Sequence, residues 1–283
     1  MRILLLDLDR MLGHVIKPCL ENFGHEVITI SNDTSSPNFY DPEHNVYRIE
    51  DIIANVKPDA VVNCLATLIE ESEANHKKAV LVNSFLPNYL DELSTKYHFK
   101  FIHRSTDCIF EGTAGNYTET SIPDATNFYG RTKALGEINN DHTLTLRVSI
   151  IGPDQNPNGE SLFPWFLRQT GEISGYSEVY WTGITTVEFA RIIDLGLKNN
   201  LSGIYNISNG IKIKKSDLLR LFAKYYPLEG LSIIDNPTKK SDKSLLKSPK
   251  FDFNIPNYDT MISNMYDWTK SHPDFYPHLQ ERK

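Results

Sequence analysis

Short apolar runs alternate with longer stretches of helical spacing along much of this chain. Residues 2–6 make a run suited to a central strand, and Leu12 to Phe23 repeats at helical spacing until Gly24 stops it. Glu26–Ile30 predicts a second strand, Ile49–Val56 a helix, and Asp59–Asn63 a third strand introduced by Lys57-Pro58. A long helical stretch runs from about Ser72 to Tyr97 and is predicted to bend or divide at Pro87, because proline has no amide hydrogen to give. Phe101–Arg104 and Thr143–Val148 predict the fourth and fifth strands, with a helix between them. Strands alternating with helices imply a parallel sheet covered on both faces.

From Gly152 to Gly159 the pattern gives way to turn residues, and shorter pieces follow. Thr186–Leu197 predicts a core helix, Gly203–Ile207 a strand, and Asp217–Tyr225 a helix with Ser216 as its cap. Pro18 falls inside the first helix and is expected to kink it. The expected fold class is α/β, a Rossmann-like doubly wound parallel sheet with a smaller interleaved α/β substrate lobe. Residues 1–150, rejoined by 183–210, form the core in this reading; 151–182 and 211–283 form the lobe.

Composition narrows the classes. A chain of 283 residues with 40% hydrophobic content can bury a full core. No apolar run approaches a membrane span, and the opening run ends at Asp7, too soon for a signal-peptide core, so a cytoplasmic protein without membrane partners is expected. A net charge of −7 argues against a general nucleic-acid surface. Cys19, Cys64 and Cys108 are isolated and lack metal-ligand spacing, so neither a disulfide framework nor a metal site is expected.

Candidate chemistry centres on Tyr129 and Lys133. Four residues is about one helical turn, so phenol and ammonium project from one face. A cation beside a tyrosine favours the phenolate and makes it a better proton carrier. The pair gains meaning from the segment 100–110, a buried strand running into Ser105-Thr106-Asp107-Cys108-Ile109-Phe110, because strand ends are where such sites sit. With Tyr129-Gly130-Arg131-Thr132-Lys133-Ala134-Leu135-Gly136-Glu137, this segment resembles the signatures of the extended short-chain dehydrogenase/reductase family, in its dTDP-4-dehydrorhamnose reductase-like branch.

That resemblance implies an NAD(P)-dependent reductase of a nucleotide-linked 4-keto sugar in polysaccharide precursor synthesis. It implies that Thr106 hydrogen-bonds the substrate oxygen, Tyr129 passes the proton, and Lys133 tunes Tyr129 and grips the nicotinamide ribose. Asp107 is either a further substrate contact or a brace of its own loop. Relatives that dehydrate sugars carry a glutamate where Cys108 stands here, so reduction, or epimerisation by oxidation and re-reduction, is expected over dehydration. Arg10, Met11, Leu12, Ser31, Leu65 and Ala66 fall on the family's cofactor-binding positions, and Asn83 on a structural asparagine. The expected partner is the nucleotide-sugar substrate, with a homodimer left open.

The first turn departs from the family. Its Gly-x-x-Gly-x-x-Gly positions read Asp7, Arg10 and Gly13. At about 4 Å a carboxylate repels a phosphate by roughly 1 to 4 kcal/mol. Arg10 can pair with Asp7 or reach the phosphate itself; Asp7 at a helix start is also favourable by itself. Ser31-Asn32-Asp33 offers no cation for an extra phosphate, which favours NAD over NADP. The aromatic residue that relatives place after the fifth strand is missing from Arg147-Val148-Ser149-Ile150. Tyr176, Tyr180 and Trp181 are either a substitute platform or packing, and the lysines 239, 240, 243, 247 and 250 either meet a nucleotide diphosphate or are solvated. The alternative reading is a non-catalytic binding or regulatory subunit of the same fold, like the family's methionine adenosyltransferase partner protein.

Overall fold

The computed structural model describes residues 1–7 and 11–280. Strand β1 (Arg2–Leu6), helix α1 (Gly13–Asn22), β2 (Glu26–Thr29), α2 (Arg48–Val56) and β3 (Ala60–Asn63) open the fold. Next come α3 (Ile69–Ala74), α4 (His76–Ala79), a π-helical turn (Val80–Phe85) and α5 (Leu86–Tyr97). Then follow β4 (Lys100–Ser105), a 3-10 turn (Asp107–Ile109), α6 (Phe128–Leu135) and β5 (Thr143–Arg147). The remainder is β6 (Ile150–Ile151), α7 (Leu162–Leu167), β7 (Glu172–Trp181), β8 (Ile184–Thr185), α8 (Thr186–Lys198), β9 (Gly203–Asn206), β10 (Ile213–Lys214), α9 (Lys215–Tyr225), β11 (Ser232–Asp242), α10 (Tyr258–Ser271), a second 3-10 turn (Pro273–Phe275) and α11 (Pro277–Gln280).

Six strands pair in the order β2-β1-β3-β4-β5-β9, every neighbour parallel. Alternation along each strand divides the core into two layers. Ile3, Leu5, Val62, Ile102 and Leu144 pack with α1 and α8, whereas Leu4, Leu6, Val61 and Phe101 pack with α2 and α5. Each fully buried aliphatic side chain contributes about 1.5–3 kcal/mol, so parity along the strands fixes which helices cover which face. The strand order reverses between β1 and β3. Beyond the carboxyl ends of strands at such a switch point, open α/β sheets have a crevice.

A second sheet, β10-β7-β11, and the pair β6-β8 are built from the later chain. Helix α1 includes Pro18. Two local expectations need correction. The stretch near Pro87 divides earlier, at Asn75 and again through the π-helical turn, and Pro87 sits in the first turn of α5, where no amide hydrogen is needed. Ser216 is not the cap of α9: Lys214 holds that position, and Ser216 is buried inside the helix, packed where a Cβ on Gly175 would touch it.

Candidate active site at the carboxyl edge of the sheet

Strand β4 delivers Thr106 to the carboxyl edge. Thr106 caps the 3-10 turn: its Oγ1 accepts from the Cys108 amide at 3.1 Å and donates to Asp107 Oδ1 at 3.2 Å. Helix α6 starts beside this turn, with Asn127 Oδ1 accepting from Gly130 N at 2.7 Å. Gly130 is what lets the two meet. A Cβ there would lie 2.4 Å from the Cys108 carbonyl oxygen, so any side chain would push α6, and Tyr129 with it, away from Thr106.

A buried ion pair braces the corner. Glu137 takes two hydrogen bonds from Arg147, 2.8 Å from Nε and 2.7 Å from Nη2, and a third from Ser105 Oγ at 2.6 Å. Arg147 also donates to the carbonyls of Thr118 and Glu119 and lies over the Phe110 ring. The segment that carries the hydroxyls is therefore tied to β5 from behind. Asn83 plays a similar part, binding the Thr67 amide and carbonyl and the Thr132 hydroxyl at zero exposure.

Burial sets the protonation states. It pushes the Tyr129 phenol up to about 12, helped by the Cys108 thiol and opposed by the Arg104 cation and by hydrogen bonding from the adjacent Thr106 hydroxyl. The Lys133 ammonium falls to about 7, because it is desolvated and because Arg104 repels it. Its Nζ donates to the Arg104 carbonyl at 2.8 Å. Burial raises Asp107, against the pull of Lys243, Thr106 and Lys215.

Two cavities meet at this edge. The larger, about 960 Å³, is lined by Met11, Thr106, Asp107, Cys108, Tyr129, the strand-end residues Val148–Ile150 and the turn around Asp154. The smaller, about 380 Å³, is lined by Asp7, Asn32, Tyr40, Asp41, Leu65 and Ala66 among others. Met11, Leu65 and Ala66 thus reach the cleft as expected by position. Leu12 is instead fully buried in the core, and Ser31 uses its hydroxyl to accept from the Asp33 amide at 3.0 Å; neither lines the two cavities. Arg10 lies outside the described residues.

The first turn carries its own anion. Asp7 is buried, and its Oδ2 accepts from the amide of Gly13, the first residue of α1, at 2.5 Å. Negative charge is favourable at a helix start, so the carboxylate sits where the helix offers an amide and a partial positive charge. Sequence reasoning missed Arg104, which lines both cavities. The available signal was a cation at the penultimate position of β4, directly before the hydroxyl residues Ser105 and Thr106.

The lysines of β11, of the segment after it and of the start of α9 take different partners. Lys247 pairs with Asp252, Lys250 donates to the Ile204 carbonyl, and Lys239 lies over Tyr176. Lys243 and the half-buried Lys215 act on Asp107 and Cys108 instead. Of the aromatic candidates, Trp181 is core and donates to Ser149 Oγ at 2.7 Å, which is packing; Tyr180 carries Lys212 on its ring.

Residues 1–160 match the profile of the family described as "RmlD substrate binding domain". The chain belongs to that family. It is 34% identical over 173 residues to a probable low-salt glycan biosynthesis reductase, Agl14, of Haloferax volcanii, across 56% of this chain and 57% of that one. It is 27% identical over 181 residues to a dTDP-4-keto-6-deoxy-D-glucose reductase of Streptomyces niveus, across 60% of this chain and 62% of that one. The chain thus matches under two thirds of the length of these relatives. A third relative, methionine adenosyltransferase 2 subunit beta of Xenopus laevis, is 30% identical over 118 residues, 40% of this chain and 35% of that one. Among solved structures, a Bacillus anthracis dTDP-4-dehydrorhamnose reductase in complex with NADP superposes with a TM-score of 0.81 at 18% identity, covering 95% of this chain and 99% of that one. At that identity it shows the shared Rossmann-like fold. No helix among the described residues is long and apolar enough to cross a membrane.

Proposed function

We propose that this RmlD-family chain is a nicotinamide-dinucleotide-dependent reductase of a nucleotide-linked 4-keto sugar. The observation that carries the reading is the corner itself: Thr106 and Tyr129 stand together on the wall of a 960 Å³ cavity, with Lys133 buried one helical turn behind. The reductases among its relatives supply the reaction class.

The cleft fits a dinucleotide at both ends and departs from the family in the middle. The smaller cavity suits an adenosine half, held by Leu65 and Ala66, and the larger one a nicotinamide half beside Tyr129 and Lys133. Asn32 and Asp41 line the adenosine side, and its Lys78 is engaged by Glu71 at 2.6 Å, which favours NAD over NADP. Between the halves, Asp7 already holds the Gly13 amide. Once bound, the dinucleotide supplies the hydride.

The protein supplies the proton. A phenol held up near 12 is protonated at neutral pH, the state that donates to a carbonyl oxygen as it becomes an alcohol. Thr106 orients that oxygen through its hydroxyl. Cys108, a thiol also pushed up to about 12, lines the cavity where the dehydratases carry a glutamate, so Asp107 stands there without the partner carboxylate that water elimination uses. Lys215 and Lys243, which lie near enough to Asp107 to pull its carboxyl down, suit a diphosphate on the substrate side.

Asp7 favours the second reading, a binding subunit without turnover. One experiment separates them: follow NADH oxidation with a dTDP-linked 4-keto sugar in the native chain and in Tyr129→Phe. A reductase loses about 10²–10⁴-fold in turnover without its proton donor while still binding the sugar nucleotide. A native chain that binds NADH and the sugar nucleotide together yet never turns over belongs to the second reading.

A further inference from the structure

Among the described residues, Leu68, Glu71 and Arg104 line both cavities, and of these Arg104 alone is a cation. Any molecule that spans the two passes this point. Glu71 is already paired with Lys78. The Arg104 guanidinium is far less occupied: Nη2 donates to the Cys64 carbonyl at 2.9 Å, while Nε is screened from solvent and has no hydrogen-bond partner. An arginine offers five donors in a planar fork matched to phosphate oxygens, and leaving a buried one unmade is costly.

The other half of the observation is the first turn. Backbone amides at a helix start are the usual anion site of a βαβ crevice, but here the Gly13 amide is already bonded to the buried Asp7 carboxyl. We propose that Arg104 is the diphosphate contact of this cleft, supplying from the end of β4 a donor that the Gly13 amide no longer offers. The inference rests on the dinucleotide reading above and adds to it a residue and a displaced phosphate position. The diphosphate is the dinucleotide's, because Arg104 stands where the adenosine-side cavity joins the catalytic one. The same guanidinium depresses Lys133 and opposes the rise of Tyr129, so it acts on the corner as well as on the join of the cavities.

The test is calorimetry on the full chain and on Arg104→Gln and Arg104→Lys, titrated with NADH, with ADP-ribose, which keeps the diphosphate and lacks the nicotinamide, and with adenosine, which lacks both. NADH and ADP-ribose are expected to bind about tenfold or more weakly to Arg104→Gln. Adenosine is expected to bind unchanged, showing that the groove is intact, and Arg104→Lys to recover part of the loss. Titration with dTDP separates the two sources of diphosphate: a loss for dTDP with none for NADH overturns the assignment. NADH binding to Arg104→Gln as tightly as to the native chain, or more tightly, makes Arg104 a strut or a plug and overturns it too. A native chain that binds neither NADH, NADPH nor ADP-ribose removes the dinucleotide reading itself, an outcome distinct from a silent Arg104.

Discussion

The two ends of the cleft contrast. At the end of β4, Thr106, Tyr129 and Lys133 are all present, a glycine allows their helix to approach, and a buried ion pair holds the loop from behind. At the first turn, two of the family's glycine positions carry charged residues and the helix start is taken by Asp7. In the proposed reductase, proton transfer requires particular atoms at particular points, so that corner would tolerate little change. An anion site made of backbone amides is generic, and a neighbouring carboxylate can satisfy it or a cation elsewhere can replace it.

The contrast can be broken from either side. The largest effect is expected from the brace: Arg147→Met leaves Glu137 buried without its cation and should destabilise the chain by about 3–5 kcal/mol in urea unfolding. A loss below about 1 kcal/mol would mean that the corner is not rigidly held.

Next comes Lys133. Its folded pKa of about 7 lies below the ordinary 10.5, so between these values the unfolded chain holds a proton that the folded chain does not. Unfolding free energy therefore rises with pH in this window, by up to about 1.4 kcal/mol per unit. Above the ordinary thiol value of 9.0 the raised Cys19 and Cys108 work in the opposite sense. The native chain and Lys133→Met are best compared between pH 7 and 9. The native curve should climb relative to the variant; parallel curves would show that Lys133 stays charged in the fold.

The smallest effect belongs to the first turn. Asp7→Asn removes the charge and keeps a hydrogen-bond acceptor, costing about 0.5–1 kcal/mol in stability. Dinucleotide affinity should rise about fivefold or more as the repulsion goes. Weaker binding would instead show that Asp7 organises the loop for its ligand.

Much of this was legible in advance. The apolar runs at 2–6, 59–63 and 143–148 became β1, β3 and β5 because a strand buried on both faces has no alternative to continuous hydrophobicity. The spacing of Tyr129 and Lys133, and the hydroxyl at the end of β4, located the corner. The Ser216 cap was misread because a serine before a helical run looks the same whether it caps the first turn or packs beneath a neighbouring strand. Leu12 and Ser31 sat at the right positions in the chain but turned elsewhere, one into the core and one onto its own loop.

What the sequence settled by itself is the run of strands and helices through the first half of the chain, which follows from local periodicity; the family was legible only by resemblance, in the motifs at 105–110 and 129–137. Only the tertiary structure decided that Lys133 reaches the Arg104 carbonyl, that Asp7 occupies the start of α1, and that Arg104 stands where two cavities join. Those facts depend on side chains distant in the chain meeting across the carboxyl edge, and on the burial that moves their protonation, neither of which any local pattern encodes.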